Sequence, residues 1–286
     1  MKAKSVLKKV AGLGLVLMLS ATALVGCGAG KTSEGGNQGG QAASPAAATG
    51  TLAKIKERGK LVVGVKYDLN LFGLKDPASG NVEGFDIDIA KAIAKKVLGD
   101  ENKIELKEVT SKTRIPMLKN GEIDAIIATM TITEERKKEV DFSDVYFLAG
   151  QSLLVKKDSP INGLQDLKKG MKVVTAKGST SAKNIRAKAP DAEVLEFENY
   201  AEAFTALKAG QGDALTTDNA LLYGMAKQDA NYRVTVETFT EEPYGIAVSK
   251  GDAEFVTAIN DLLKEIKQNG EYDKIYEKWI GEKPKK

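Results

Sequence analysis

The 286-residue sequence contains no histidine. That absence excludes imidazole acid–base catalysis, serine–histidine and cysteine–histidine nucleophile pairs, and histidine-ligated metal sites. Cysteine occurs once, at Cys27, so no intramolecular disulfide can form. Beyond Cys27 there is no S-x-x-K, G-x-S-x-G, P-loop or G-x-G-x-x-G pattern, so the common nucleophile and phosphate-binding signatures are missing too. Neither sign of charge dominates: 42 basic residues stand against 39 acidic ones. The pair Asp86 and Asp88 reads as first-turn acids of a helix, favoured by its dipole, rather than as a catalytic dyad. What remains, 42% apolar and 28% charged, describes an ordinary globular chain long enough for one large domain or two small ones.

The N-terminus is set apart. Lys2, Lys4, Lys8 and Lys9 precede an apolar run over residues 10–25, which is short for a membrane span and ends in small residues before Cys27. A basic region, a short apolar core and small residues are the pattern of an export signal, here residues 1–26. Losing those residues, with four lysines and no acid, takes the formal net charge from +3 to −1 and leaves no basis for nucleic-acid binding. Residues 27–50 are rich in Gly, Ala, Ser and Gln and lack large apolar side chains, so they are expected to be a flexible tether spanning roughly 25–30 Å.

From Leu52 onward, strand-like and helix-like stretches alternate, which predicts α/β layers. Strands are expected at 61–65, 103–109, 123–130, 151–155, 172–176, 213–217 and 244–249. Helices are expected at 83–98, 114–119, 201–209 and 253–268, the last with Phe255, Ile259, Leu262, Leu263 and Ile266 on one face. Two weak echoes run through the chain. Leu118-Lys119-x-Gly121-x-x-Asp124-Ala125 returns as Leu207-Lys208-x-Gly210-x-x-Asp213-Ala214, and Val62-Val63-x-x-Lys66 returns as Val173-Val174-x-x-Lys177. The same order in both halves predicts two similar α/β lobes with a ligand cleft between them. Within the first half, the apolar stretch 123–130 runs into Thr131 and Thr133 and then the charged segment 134–139. A strand leading through a threonine turn to a helix start suits an anion, and Arg136 adds a bidentate fork for a carboxylate.

Several segments together resemble the polar amino-acid-binding proteins of ABC importers, the family 3 bacterial extracellular solute-binding proteins. They are Lys60-Leu61-Val62-Val63-Gly64-Val65-Lys66-Tyr67-Asp68, Gly84-Phe85-Asp86-Ile87-Asp88, Thr131-Ile132-Thr133-Glu134-Glu135-Arg136 with Asp141-Phe142-Ser143, Tyr244-Gly245-Ile246-Ala247 and Tyr276-Glu277-Lys278-Trp279. Cys27 similarly resembles the lipidation site of bacterial lipoproteins. The resemblance implies two α/β lobes of the type II periplasmic-binding-protein kind, joined by crossovers near 146–150 and 238–243. One lobe would comprise 51–146 with 243–286, and the other 147–242. It implies a monomer held by lipid on the extracytoplasmic face of the membrane, delivering an amino acid to a permease and its ATPase. No cofactor, metal or catalytic residue is implied.

Carried over residue by residue, the resemblance assigns Arg136 and Thr131 to the ligand α-carboxylate and Thr129 to the α-ammonium through its backbone carbonyl. Thr180 in the second lobe would also serve the carboxylate, and Asp218 would pair with the ammonium. Lys177 and Tyr244 would stand at the cleft. Aromatic rings that sandwich glutamine in Gram-negative relatives are replaced here by Leu69 and Ser111. Lys66 and Arg114 look more like the aspartate/glutamate branch, so glutamate is expected as the preferred guest, with glutamine the alternative. Because a few relatives of this fold are dehydratases of prephenate-like acids, that activity is the reading from another class.

Overall fold

The structure, a computed structural model, describes residues 50–284. The export signal, Cys27 and nearly all of the tether therefore lie outside the described residues. Two five-stranded sheets organise the rest. In the first, Leu61–Val65 lies between Ile104–Glu108 and Ala125–Ile126, parallel to both. Ala247–Ser249 then pairs antiparallel with Ala125–Ile126 on one side and Val140–Phe142 on the other. The second sheet repeats the plan. Lys172–Ala176 lies parallel between Glu193–Phe197 and Ala214–Asp218, and Gln151–Lys156 pairs antiparallel with Ala214–Asp218 and Tyr232–Val234. The central strands are buried almost throughout, and Leu61–Val65 is a continuous apolar run, as expected where helices cover both faces of a sheet.

The sequence echo has a physical cause. At each copy a helix ends in a glycine at positive φ, Gly121 at 73° and Gly210 at 74°. The aspartate that follows then fixes the neighbouring parallel strand with its carboxylate: Asp124 accepts from the Val62 N–H and Asp213 from the Lys172 N–H, both at 2.7 Å. A short acid is needed there because it closes the strand start that the ladder leaves unpaired.

The helices bury the stripes their spacing foretells. Phe85–Leu98 buries Phe85, Ile89 and Ile93 and ends at Gly99 in the left-handed conformation. Ala253–Asn269 buries Phe255, Ile259, Leu262, Leu263 and Ile266, each burial contributing about 1.5–3 kcal/mol. Its N-terminus is capped by Asp252, whose carboxylate accepts from the Phe255 N–H. Gly84 precedes the first of these helices at φ 154°, where a Cβ would lie 2.1 Å from the Phe72 carbonyl oxygen. Only glycine lets that helix start press against the Phe72 turn.

Between the sheets, Phe147–Ala149 and Glu242–Tyr244 form a two-stranded antiparallel ribbon. A cluster of aromatic rings packs around it. Phe147 stacks on Tyr244 at 5.5 Å between centroids, Phe72 meets Phe147 edge-on at 5.1 Å, and Phe85 stacks on Tyr146 at 6.2 Å. The ribbon is thus rooted in the core beside the first sheet. Trp279 anchors the C-terminal helix, donating from its indole to Asp88 at 2.7 Å.

Some expectations need correcting. Of the strand expected over 123–130 only Ala125–Ile126 is ladder-paired; beyond it the backbone turns, with Thr129 at φ 47°. The strand expected over 244–249 is two strands, interrupted at Gly245 and Ile246 where the ribbon hands over to the first sheet. Glu193–Phe197 is a strand that the sequence reading left out.

Candidate functional site

The irregular stretch after Ala125–Ile126 is held open by a buried acid. Asp86 accepts from the Thr129 N–H at 2.9 Å and from the Tyr146 hydroxyl at 2.8 Å. It is therefore not an exposed first-turn acid, as its place in the sequence suggests. Burial is the main influence on it and pushes its carboxyl up to about 7, against the pull of those two hydrogen bonds. Arg114 begins a short helix, Arg114–Lys119, and is 2% exposed; its guanidinium donates to the Ala128 carbonyl at 2.7 Å. Lys66, at the end of Leu61–Val65, is 1% exposed. Its ammonium reaches Ser111 Oγ at 3.3 Å and stands 6.0 Å from the centroid of the Tyr200 ring. Desolvation lowers Lys66 to about 8 and Arg114 to about 9.

Arg136 lies on the four-residue helix Glu134–Lys137, whose first turn is capped by Thr133 accepting from the Arg136 N–H. The guanidinium donates to the Thr131 carbonyl at 2.7 Å and reaches the Gly178 carbonyl, beside the second sheet, at 3.4 Å. The Thr131 and Thr180 hydroxyls approach each other to 3.4 Å, and both donate to Glu242, at 2.6 and 2.9 Å. A hydroxyl has one hydrogen, so both threonine side chains turn lone pairs toward the interior. Donation to a ligand carboxylate then falls to backbone N–H groups and to arginine.

Asp218 ends Ala214–Asp218 and precedes the helix Asn219–Gln228, but its side chain does not cap that helix. It accepts instead from the Tyr244 hydroxyl, which explains why Tyr244 is fully buried. Burial first, and the charge of Glu242 second, raise Asp218 to about 7. Lys177 does not join this group. Its ammonium pairs with Glu198 at 2.5 Å with 41% of the side chain exposed, because the turn at Gly178 directs it outward.

A small, partly enclosed pocket of about 10 Å³ lies where these groups meet, lined by Ser111, Arg114, Thr129, Thr131, Thr180 and Asp218 among others. Lys66 and Tyr244 sit behind its wall, on Ser111 and Asp218. Arg136 lines the adjoining cleft mouth, which shares Thr131 and Thr180 with the cavity. Among the described residues, the buried side-chain polar atoms without a partner are Arg114 Nε, Thr217 Oγ1 and Asp218 Oδ1. All three residues line this one cavity. Leaving a buried polar atom unpaired costs about 1–3 kcal/mol and more for ions, so their convergence marks a place built to receive complementary groups. Larger surface hollows, one beside Tyr232 and one beside Tyr223, hold no such atoms. The cavity offers an acceptor in Asp218 and donors in Arg114 and the threonine turn, which suits a small zwitterion.

Contacts between the two halves shut the cleft around it. Asp68 accepts from the N–H groups of Tyr200 and Ala201 at the start of Tyr200–Lys208, Asn70 donates to the Gly224 carbonyl at 3.2 Å, and Lys183 pairs with Glu135 at 2.5 Å. Gly178, at φ 72°, lies so close to Lys112 that an added Cβ would come within 3.0 Å of the Lys112 Cα. Asp86, Glu242 and Tyr200 escape sequence reasoning, because their roles depend on partners far along the chain. Only the Gly84-Phe85-Asp86 segment carries a signal, as part of the family resemblance, and it does not point to the role of Asp86 at Thr129.

The sequence profile of the bacterial extracellular solute-binding proteins, family 3, matches residues 61–282. A glutamine-binding protein of Geobacillus stearothermophilus is 73% identical over 250 residues, 87% of this chain and 95% of its own length. The ABC transporter glutamine-binding protein GlnH of Bacillus subtilis is 63% identical over 278 residues, 97% of this chain and 99% of its own. Among solved structures, an ancestral arginine-binding protein bound to glutamine matches with a TM-score of 0.73 and 51% identity, covering 79% of this chain and 99% of its own. These comparisons and the paired sheets agree on the two-lobe α/β architecture of type II binding proteins.

Proposed function

Since the chain belongs to the bacterial extracellular solute-binding proteins, family 3, we propose that it captures L-glutamine between its lobes and delivers it to the permease and ATPase of an ABC importer. The carrying observation is the convergence of the unpartnered Asp218 Oδ1 and Arg114 Nε on one interior pocket. Asp218 pairs with the α-ammonium, and Arg136 with the turn around Thr131 and Thr180 holds the α-carboxylate. Thr129 offers its carbonyl from the strained turn, and Arg114, backed by Lys66, meets the side-chain carbonyl.

Glutamine replaces glutamate as the preferred guest. The glutamate expectation rested on Lys66 and Arg114 facing the side chain as free cations. Arg114 already donates to Ala128, Lys66 to Ser111, and the cations Lys66, Arg114 and Arg136 have the acids Asp86, Asp218 and Glu242 close by. Asp68 adds a further negative charge near Lys66. A second carboxylate on the guest would thus meet cations that already have partners, in a desolvated site where an unpaired charge is costly. The names of the two similar relatives support the same reading. Calorimetry on the purified protein is expected to show micromolar or tighter glutamine, with glutamate weaker by about a hundredfold or more. Equal affinities would overturn the assignment.

In this reading residues 51–146 with 243–286 make one lobe and 147–242 the other, and the ribbon carries the hinge. Residues 1–26 direct export and Cys27 is acylated, since two or more acyl chains on one residue give durable anchoring. Intact mass of the membrane fraction should then exceed that of the chain from Cys27 onward by the acyl groups; an unmodified mass would remove the anchor from the proposal.

A further inference from the structure

Glu242 is 2% exposed; it borders the cleft mouth near Arg136 rather than the inner pocket, and forms no salt bridge among the described residues. It belongs to the ribbon, paired with Ala149. One oxygen accepts the hydroxyls of Thr131 and Thr180, and the other accepts the Asn184 amide at 3.1 Å. Asn184 donates in addition to Gln151, whose own amide donates to Thr180 at 3.1 Å. Thr131 follows the first sheet, whereas Thr180 and Asn184 ride on the helix Thr180–Lys188 beside the second. When the lobes separate, these donors move apart, and a single carboxylate cannot keep both sets.

We propose that Glu242 is a positioning residue that holds the cleft shut: its carboxylate joins donors from both lobes and sets the rate of opening without touching the guest. The proposal rests on the reading of lobe closure around glutamine. Hydrogen bonds to an ionised group exceed neutral ones in strength, so losing a shared carboxylate weakens the closed state more than losing an ordinary polar contact. Closure of this kind acts on dissociation, because the latch forms after the guest has entered.

Glu242→Gln is expected to speed glutamine dissociation about tenfold or more while association changes little. Asn184→Asp, which sets a second carboxylate against the first, should act in the same direction. The combination Glu242→Gln with Asn184→Asp exchanges acid and amide across the contact and should recover much of the loss, an outcome that a general packing defect would not give. Pulsed electron paramagnetic resonance between spin labels on the two lobes of the full chain supplies the independent readout: both single variants should shift the ligand-free distances toward open, and the double variant back. Unchanged dissociation and distances in Glu242→Gln, or simple addition of the two effects, would overturn the latch. Should the wild type fail to bind glutamine, the functional reading falls, while the distances still judge the latch. If Glu242→Gln does not fold, Asn184→Ala removes one of the two second-lobe donors and is expected to shift the protein toward open by itself; unchanged distances there would sink the proposal as well.

Discussion

Asp218→Asn is expected to weaken glutamine binding by about thirtyfold or more, because removing one partner of a buried charge pair typically costs about 2–5 kcal/mol. The same change should make the ligand-free protein more stable above neutral pH. Asp218 is buried, one oxygen is unpaired, and burial with the nearby charge of Glu242 raises its carboxyl to about 7. The folded chain therefore holds this proton at a pH where the unfolded chain has released it. Stability tied to such a group is present at low pH and is lost as pH rises toward and through about 7. An asparagine pays no such charge cost, so the variant's melting temperature should depend less on pH between 5 and 8. Some dependence remains, since Asp86 is raised to about 7 for the same chief reason, burial. Calorimetry with glutamine and melting curves across that range check both parts. Unchanged affinity would show that the ammonium is bound elsewhere.

Arg136→Ala is the second large effect, again about 2–5 kcal/mol in affinity by the same reasoning. Its fork is the element suited to a carboxylate, and Arg136→Lys should restore little, because an ammonium cannot make two parallel bonds in one plane. The fold should survive. Arg136 stands on a four-residue helix that buries no side chain, and the loss is its bond to the Thr131 carbonyl, about 1 kcal/mol. Circular dichroism with calorimetry separates the outcomes: a native spectrum with no heat of binding supports the clamp, and a native spectrum with undiminished heat removes Arg136 from the site.

The sequence revealed what local chemistry controls. Leu61–Val65 is a continuous apolar run and Lys172–Ala176 is buried from Val173 onward, Ala253–Asn269 shows its stripe every three or four residues, and the Gly-x-x-Asp echo marks equivalent corners of both sheets. The turn at Thr129 was hidden because its cause is Asp86, far earlier in the chain, drawing the Thr129 N–H out of strand geometry. Lys177 misled because a lysine beside a glycine turn reads the same whether it faces the cleft or, as here, Glu198. The glutamate expectation has a related origin. Lys66 and Arg114 are visible as cations in the sequence, but the acid that faces both, Asp86, becomes their neighbour only through folding.

The strand order of the first sheet also dictates a timetable. Ala247–Ser249 is wedged between Ala125–Ile126 and Val140–Phe142, so the first sheet is split until nearly the whole chain exists. The second sheet draws all its strands from one unbroken stretch, Gln151 to Val234, and needs nothing later. During synthesis the later-coded half is thus the first that can finish, while the earlier-coded half waits with two strand edges unpaired. Such edges invite association with other chains. A truncation just before residue 247 should consequently yield one sound half and one adhesive half, and the last strand to be made is the one that renders the newborn chain safe.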